Sequence, residues 1–305
     1  MSNPTSNPTS NPMSNPMSNP MSNPMSNPMS TVVSTIEEMG GLDKVSEPYA
    51  GFVGRLTGNK AVKNILSGTF LGHPIHPVLS DVPIGAYAMA TVLDLTGADA
   101  AAARRLVGVG ILASVPTAAT GASDWSDSYG AEQRVGLVHA AANSAATVLQ
   151  VASWVARGKG RHSTGRLLSL AGVGLTAGAG YLGGHLSFVK GVGVNHTAFE
   201  HRTDDWTDVA ARVDLTPGTP MRVTADGVSV VLIEQNDRVY ALSSVCTHAG
   251  GPLDEGTVQD GCIRCPWHGS EFRLRDGKPM RGPASVEQPS WDVKIADGRV
   301  LVKAS

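Results

Sequence analysis

The chain has 305 residues, which is room for two domains, and a formal net charge of -2. Neutralising phosphates requires a basic surface, and no strong basic cluster is present, so we expect no nucleic-acid partner. With only three cysteines, Cys246, Cys262 and Cys265, the composition disfavours a secreted protein built on disulfides. The N-terminus lacks a basic segment followed by an apolar one, so we predict no cleaved signal peptide.

The N-terminal segment, residues 1–30, is dominated by a four-residue repeat, Ser-Asn-Pro-Thr and then Ser-Asn-Pro-Met. A proline at every fourth position prevents a helix, and this period matches no packed repeat architecture. We therefore predict a disordered tail, and Met29 or Met39 could serve as the translation start. Residues 31–69 carry weak helical patterns and are predicted to form an amphipathic lead-in.

Four apolar segments follow at short intervals, and they predict a four-helix transmembrane domain over residues 70–192. They are about Val78 to Leu95, Leu106 to Ala122, Val135 to Ala156 and Leu167 to Val189. A helix needs about 20 apolar residues to cross a bilayer, and each segment meets that length. Helices of a soluble bundle are the alternative, but such helices usually carry a strongly polar stripe, and the second and fourth segments lack one.

Four spans place both ends of this domain on one side of the membrane, which we call the near side. Four histidines fall at this depth: His73, His76, His139 and His185. Ionisable residues in a membrane are costly, so a functional role is the default interpretation, although each one could simply hydrogen-bond a neighbouring helix end. Facing imidazoles can bind haem b or a metal, or pass protons to a quinone. We predict His139 and His185 as the haem pair, with His73 and His76 at the interface.

The stretch before the first span reads Gly72-His73-Pro74-Ile75-His76-Pro77. With the spans that follow, over about residues 68–190, it resembles an uncharacterised bacterial four-helix membrane family marked by Gly-His-Pro-x-His-Pro. The resemblance implies a membrane bundle. It implies no activity, because none is established for that family.

After a polar linker, residues 193–207, the chain changes to short runs of alternating apolar and charged residues. The predicted strands are Met221 to Thr224, Val228 to Glu234, Arg238 to Ser243, Cys262 to Arg264, Glu271 to Arg273, Trp291 to Ile295 and Arg299 to Lys303. Asn-Asp and Asp-Gly pairs mark hairpin turns, at Asn236, Asp276 and Asp297. Residues 208–305 are therefore predicted to form a small antiparallel β-sandwich or barrel.

Two Gly/Pro-rich loops of this region carry one Cys-x-His pair and one Cys-x-x-His pair. Their ligand candidates are Cys246, His248, Cys265 and His268. Two thiolates and two imidazoles suit a tetrahedral zinc ion, or a Rieske [2Fe-2S] cluster in which the cysteines hold one iron and the histidines the other. The flanking glycines and prolines favour two loops that grip a cluster from either side.

The two loops resemble the Rieske family over roughly residues 208–303. The matching stretches are Cys-Thr-His-x-Gly-Gly-Pro-Leu from Cys246 and Cys-Pro-Trp-His-Gly-Ser-x-Phe from Cys265. The resemblance implies that Cys246 and Cys265 bind the inner iron, and His248 and His268 the more exposed iron. Around them, the residues expected to support the cluster are Gly250, Gly251, Pro266, Gly269 and Ser270.

The same resemblance bears on the reduction potential. High-potential relatives that oxidise quinol carry a disulfide at the places of Gly251 and Trp267, and a Tyr at the place of Phe272, although Ser270 is kept. We therefore predict a low to middle potential, as in ferredoxin-type or oxygenase-type members.

The predicted function is a membrane-anchored electron-transfer protein that passes single electrons between a redox partner and the membrane. The expected partners are a redox partner protein or a membrane quinone, and the lipid bilayer that surrounds the spans. The alternative is a quinone or haem oxidoreductase whose second redox site is built from the membrane histidines. A terminal oxygenase is disfavoured, because it needs a further iron site on a large domain after the Rieske fold. Non-redox zinc binding is the remaining alternative.

We expect a multi-pass protein of the cell membrane, and two observations point to opposite sides of that membrane for the C-terminal domain. Six Lys and Arg residues in the far loops, against five on the near side, lean towards an external C-terminal domain. However, a domain that acquires iron and sulfide in the cytoplasm is hard to export after four spans. We place it on the cytoplasmic face.

Overall fold

The computed structural model describes residues 28–305, so the predicted disordered tail lies outside the described residues up to residue 27. Within the described part, the α-helices all precede the strands. The fold class is the predicted one: a helical bundle with four long apolar helices, followed by an antiparallel β domain.

Three short helices form the lead-in: α1 (Pro28–Glu38), α2 (Asp43–Thr57) and α3 (Lys60–Ser67). Helix α3 begins where the side chain of Asn59 accepts hydrogen bonds from two backbone N–H groups of its first turn. It ends at Gly68, whose φ of 74° is left-handed and disfavours any residue with a Cβ. These local signals fix α3 as a short, separate helix.

Four long helices make up the bundle: α4 (His76–Thr96), α5 (Ala100–Trp125), α6 (Gly130–Gly158) and α7 (His162–Phe188). All four are long and apolar enough to cross a membrane. Only 22–28% of each apolar window is buried inside the protein, so most of the apolar surface faces outwards, as lipid contact requires.

Polar side chains line the contact between α6 and α7. The side chain of Gln150 exchanges hydrogen bonds with Ser169, and the hydroxyl of Ser153 donates to the carbonyl of Gly165 at 2.6 Å. At the far end, Arg157 makes a bidentate ion pair with Asp94 of α4, at 2.8 and 2.5 Å. Gln150, Ser153, Ser169 and Asp94 lie inside the predicted apolar segments, whereas Arg157 directly follows one of them.

The β domain consists of two antiparallel sheets. Its strands are β1 (Thr207–Ala211), β2 (Met221–Ala225), β3 (Val228–Gln235), β4 (Arg238–Ser243), β5 (Thr257–Gln259), β6 (Cys262–Arg264), β7 (Glu271–Arg273), β8 (Pro279–Arg281), β9 (Ser290–Ala296) and β10 (Arg299–Ala304). The larger sheet has the order β1-β10-β9-β4-β3-β2, and the smaller sheet β5-β6-β7-β8 is inserted between β4 and β9 along the chain. The seven predicted strands are present, whereas β1, β5 and β8 were not predicted.

Two-residue turns fix the register of the larger sheet. Asn236 and Asp237 have φ values of 52° and 60°, and Asp297 has a φ of 51°, so these residues adopt the left-handed conformation typical of tight hairpins. Residue pairing is continuous from the first of these turns, with Gln235 opposite Arg238. The Asn-Asp and Asp-Gly signals at these two turns therefore identified hairpins correctly.

The β domain packs onto the near-side helices through polar contacts of α3. Lys60 pairs with Glu271 of β7 at 3.0 Å. The side-chain amide of Asn64 donates to the carbonyl of Met280 at 3.2 Å and accepts from the backbone N–H of Gly282 at 2.9 Å. Helix α3 thus holds the smaller sheet, which carries one of the two Cys/His loops, against the bundle.

Candidate metal centre

The two Cys/His loops have the same backbone frame. The first follows β4 and the second joins β6 to β7. In the first, Cys246 N–H donates to Gly251 and Gly250 N–H donates back to Cys246, both at 2.9 Å. In the second, Cys265 N–H donates to Ser270 at 2.8 Å, and the N–H of the glycine four residues after the cysteine donates back to it at 3.1 Å. Backbone hydrogen bonds therefore close each loop without a bound metal.

Glycine is required at one position of each loop. Gly250 and Gly269 both lie four residues after a cysteine and have φ values of 77° and 72°. A side chain is strained in this conformation, so the closing turn of each loop depends on glycine.

The two predicted thiolate ligands lie side by side in the smaller core of the domain. Both are buried, and they pack with Ile263 and Phe272. A hydrogen bond between the two sulfurs, together with burial, raises the pKa of Cys246 well above its usual value. The same hydrogen bond lowers the pKa of Cys265 to about 7. A pair of sulfurs that shares a proton in this way is suited to binding a metal as thiolates.

The two predicted imidazole ligands also meet. The rings of His248 and His268 lie edge to face, with centroids 4.9 Å apart. Burial, with repulsion from His268 and Lys63, lowers the pKa of His248 to about 3. Burial also lowers the pKa of His268. Neutral imidazole is the form that binds metals, so both rings are in the required state at neutral pH.

Two ring nitrogens have no hydrogen-bond partner although they are buried: Nδ1 of His248 and Nε2 of His268. Buried polar atoms are nearly always paired, so an unpaired one needs an explanation. Among the described residues, no three His, Cys, Asp or Glu side chains converge on a single ion. The two unpaired ring nitrogens, one from each Cys/His loop, are available to bind a metal atom.

Gln288, which the sequence reading missed, holds the first loop from behind. Its side-chain amide donates to the carbonyls of Ser243 and Val245, each at 2.7 Å, and its oxygen accepts from the N–H of Thr247 at 3.0 Å. The side chain is 1% exposed. A single buried amide therefore satisfies three backbone groups on either side of Cys246.

The four positions that bear on the predicted reduction potential, Gly251, Trp267, Ser270 and Phe272, lie around the two cysteines. A Cβ at Gly251 would lie 2.9 Å from the sulfur of Cys265 and 3.1 Å from the Trp267 ring. The hydroxyl of Ser270 is fully buried and accepts from the N–H of Ala284 at 3.0 Å, so its own hydrogen is available to another acceptor. Phe272 is fully buried in the core beside the cysteines.

The near side of the bundle contributes three further residues that the sequence reading did not assign to the site. Tyr129, in the turn between α5 and α6, stacks on His268 with centroids 5.4 Å apart and 21° between the rings. Lys63 donates to Asp127 of the same turn at 2.5 Å. Burial raises the pKa of Asp127 despite Lys63 and the nearby His268, which lower it. No local sequence signal marks these residues, because long-range packing alone brings them to the loop.

The linker also reaches the site. The backbone N–H of His196 donates to the carbonyl of Thr247 at 3.2 Å, and its ring lies 3.5 Å from where a Cβ of Gly250 would be. The His196 side chain is exposed, so the linker contacts the first loop from the surface of the domain.

The four membrane histidines do not form one cluster of facing rings. His139 contacts the carbonyl of Ala179 at 2.7 Å, whereas His185 contacts the carboxylate of Glu37 at 3.2 Å. His76 contacts the carbonyl of Thr117 on α5 at 3.1 Å. His73 is exposed, and its ring contacts the carbonyl of Pro74, its own neighbour in the chain.

Comparison with known proteins identifies both halves. A family model described as Rieske [2Fe-2S] domain matches residues 205–292, and one described as Predicted membrane protein (DUF2231) matches residues 72–196. The ferredoxin CarAc of Metapseudomonas resinovorans is 35% identical over 98 residues, which is 32% of this chain and 92% of the relative. The chain belongs to the Rieske [2Fe-2S] family. Its membership rests on the C-terminal part, here called the Rieske domain.

Two further relatives are also similar to the Rieske domain. The ferredoxin component of the naphthalene 1,2-dioxygenase/salicylate 5-hydroxylase systems of Ralstonia sp is 30% identical over 101 residues, covering 33% of this chain and 97% of the relative. The solved ferredoxin of carbazole 1,9a-dioxygenase from Nocardioides aromaticivorans IC177 is 32% identical, with a TM-score of 0.32, and covers 33% of this chain and 98% of that one. The Rieske match indicates an electron-transfer domain that binds a [2Fe-2S] cluster, and the second family model indicates a membrane anchor.

Proposed function

We propose that this protein is a membrane-anchored Rieske electron carrier of low to middle potential, which passes single electrons between a redox partner and the membrane. The meeting of the two loops carries the proposal: paired buried thiols and paired neutral imidazoles, each pair contributed by both loops. The corresponding division of the chain is a membrane domain over residues 70–192, a linker over 193–207 and a Rieske domain over 208–305.

In this proposal Cys246 and Cys265 hold one iron, and His248 and His268 the other. The cluster, when bound, supplies one-electron transfer. The protein keeps both imidazoles neutral by burying them, which leaves the cluster with less negative charge than an all-cysteine centre has. An added electron is then less unfavourable, which is why Rieske centres lie between about -150 and +300 mV.

The composition of the loops supports the lower part of that range. Gly251 and Trp267 cannot form a disulfide across the two loops, and the ring of Phe272 has no hydroxyl to donate. Each absent donor or bridge leaves the reduced, more negative cluster less stabilised. A redox titration followed by EPR tests this point, and a midpoint near +300 mV would exclude it.

Iron and labile-sulfide analysis tests the cluster itself. The purified full-length protein should contain iron and sulfide in equal amounts and give an EPR signal after reduction. Cys265→Ser should abolish both. Cys262→Ser is the matched control, because Cys262 lies on β6 in the same domain but belongs to neither loop, so its replacement should leave both unchanged. Stoichiometric zinc without sulfide would refute the proposal.

The partner is inferred from the relatives. Both named relatives are ferredoxins. One is the ferredoxin CarAc, and the other is the ferredoxin component of the naphthalene 1,2-dioxygenase/salicylate 5-hydroxylase systems. We infer a protein redox partner, such as an oxygenase or reductase component, that meets the Rieske domain on the cytoplasmic face. Membrane quinone is the second possible partner.

The alternative, a quinone or haem oxidoreductase with His73, His76, His139 and His185 as its second site, receives less support. The contacts of His139 and His185 are with different protein groups, a backbone carbonyl and a carboxylate. A Soret band in the detergent-purified protein that disappears in His139→Ala would reinstate it.

A further inference from the structure

His268 lies where the Rieske domain meets the membrane domain, and aromatic rings from both contact it. Within the Rieske domain, His248 packs against it edge to face at 4.9 Å. From the membrane domain, Tyr129 stacks on it at 5.4 Å and an interplanar angle of 21°. A third ring, that of Trp267, lies edge to face at 6.3 Å. The imidazole proposed as an iron ligand is therefore held between two rings of its own domain and one ring of the other.

The turn that carries Tyr129 is fixed by a buried lysine. Lys63 donates to the carboxylate of Asp127 at 2.5 Å and to the backbone carbonyl of Ser123 at 3.0 Å. The side chains of Lys63 and Asp127 are only 4% and 16% exposed. Removing one partner of such a buried pair is strongly unfavourable, so the pair gives the turn a defined position. Tyr129 consequently reaches His268 from a rigid support.

Burial does not explain the position of Tyr129. The residue is 63% exposed, so its packing contributes little to the core of either domain. One face of its ring covers His268, while the side chain borders an open cleft of about 360 Å³ that Trp267 and Arg264 also line. The contact with the imidazole is the specific interaction this ring makes.

We propose that Tyr129 is a positioning residue of the iron–sulfur centre: the membrane domain, through this ring, fixes the orientation of His268 and keeps water from one face of it. The inference rests on the proposed function, because it assumes that His268 binds iron. The membrane half then contributes to the redox site as well as anchoring it.

The reduced centre carries one more negative charge than the oxidised centre, and water stabilises that charge better than an aromatic face does. In the full-length protein, Tyr129→Ala should therefore raise the ratio of reduced to oxidised centre at a fixed potential by about threefold, or about 28 mV at about 59 mV per tenfold change. It should also change the EPR g values, because these depend on ligand orientation. Tyr129→Phe keeps the ring and should restore both to native values.

Tyr49→Ala is the matched control. The Tyr49 ring is 48% exposed and also lies 5.4 Å from an aromatic ring, that of Trp125, but it does not touch the Rieske loops. Its removal should leave the g values and the midpoint unchanged. If Tyr129→Ala loses iron, Tyr129→Leu is the second variant: it keeps apolar bulk without a ring face, so the g values should still change, whereas the midpoint should stay close to the native value because water remains excluded.

The outcomes separate the two proposals. A native protein without the EPR signal would refute the proposed function. A native signal together with unchanged g values and midpoint in both Tyr129→Ala and Tyr129→Leu would refute the positioning role alone. Equal changes in Tyr49→Ala would also refute it, because they would show a general effect of losing a near-side tyrosine.

Discussion

Replacing Gln288 by leucine should destabilise the first cluster loop while keeping the size of the side chain. The amide makes three hydrogen bonds at 2.7, 2.7 and 3.0 Å, and the residue is 1% exposed. Leucine would leave the Thr247 N–H and the Val245 carbonyl buried without this partner, and each such loss costs about 1–3 kcal/mol. Better burial of the apolar leucine offsets part of this cost, so we expect a net loss of about 2–4 kcal/mol.

Thermal unfolding of the Rieske domain, followed by the visible absorption of the cluster, measures this loss. For a domain of about 100 residues, 1 kcal/mol corresponds to about 4–8 °C, so the transition should fall by at least about 8 °C. Gln259→Leu is the control, because Gln259 is exposed on β5 and its replacement should change stability by less than about 0.5 kcal/mol. If Gln288→Leu behaves like Gln259→Leu, the amide does not support the loop.

Three other changes test separate contacts. Ser270→Ala should lower the midpoint potential by up to about 59 mV, a tenfold change in the redox ratio, because a hydroxyl that can donate to the reduced cluster is lost; an unchanged EPR-monitored titration would contradict this. Arg157→Leu should lower the thermal stability of the detergent-solubilised protein by about 3–5 kcal/mol, and adding Asp94→Leu should recover much of it, since the unpaired buried charge is then removed. Burial raises the pKa of Glu37, but hydrogen bonds and charges of its cationic partners, among them Lys190, outweigh burial and hold that pKa below 4.5. Glu37→Gln should therefore cost about 0.5–1 kcal/mol at pH 7, and the difference from the native protein should vanish as the pH falls through the folded pKa, whereas a cost that does not decrease with falling pH would exclude the ion pair as its cause.

The features predicted correctly from the sequence are those whose signals are local. Runs of alternating apolar and charged residues on either side of Asn236-Asp237 and of Asp297-Gly298 define hairpins, because Asn, Asp and Gly are the residues that tolerate the positive φ of a tight turn. The four long helices were predicted from runs of apolar residues long enough to cross a bilayer, which is also a local property of the sequence. The Cys-x-His and Cys-x-x-His spacings likewise identify the two loops from neighbouring residues alone.

The features missed depend on distant contacts. Gln288 lies more than forty residues after Val245, and nothing near it in the sequence distinguishes it from a surface glutamine. Asp94 and Arg157 read as isolated charges at the ends of apolar segments, although they form a bidentate pair. Tyr129 reaches His268 only because α3 holds the two domains together. Periodicity reports which face of an element is buried, but not which element covers it.

The insertion of the smaller sheet between β4 and β9 affects how the centre is assembled. The larger sheet has the order β1-β10-β9-β4-β3-β2 and its own apolar core, which contains neither Cys246 nor Cys265. Its framework can therefore form without iron, unlike that of a zinc finger, whose fold requires the metal. Cluster loading then becomes a late maturation step performed on a prefolded receptor, and a cell short of iron would accumulate a folded but redox-silent protein in its membrane.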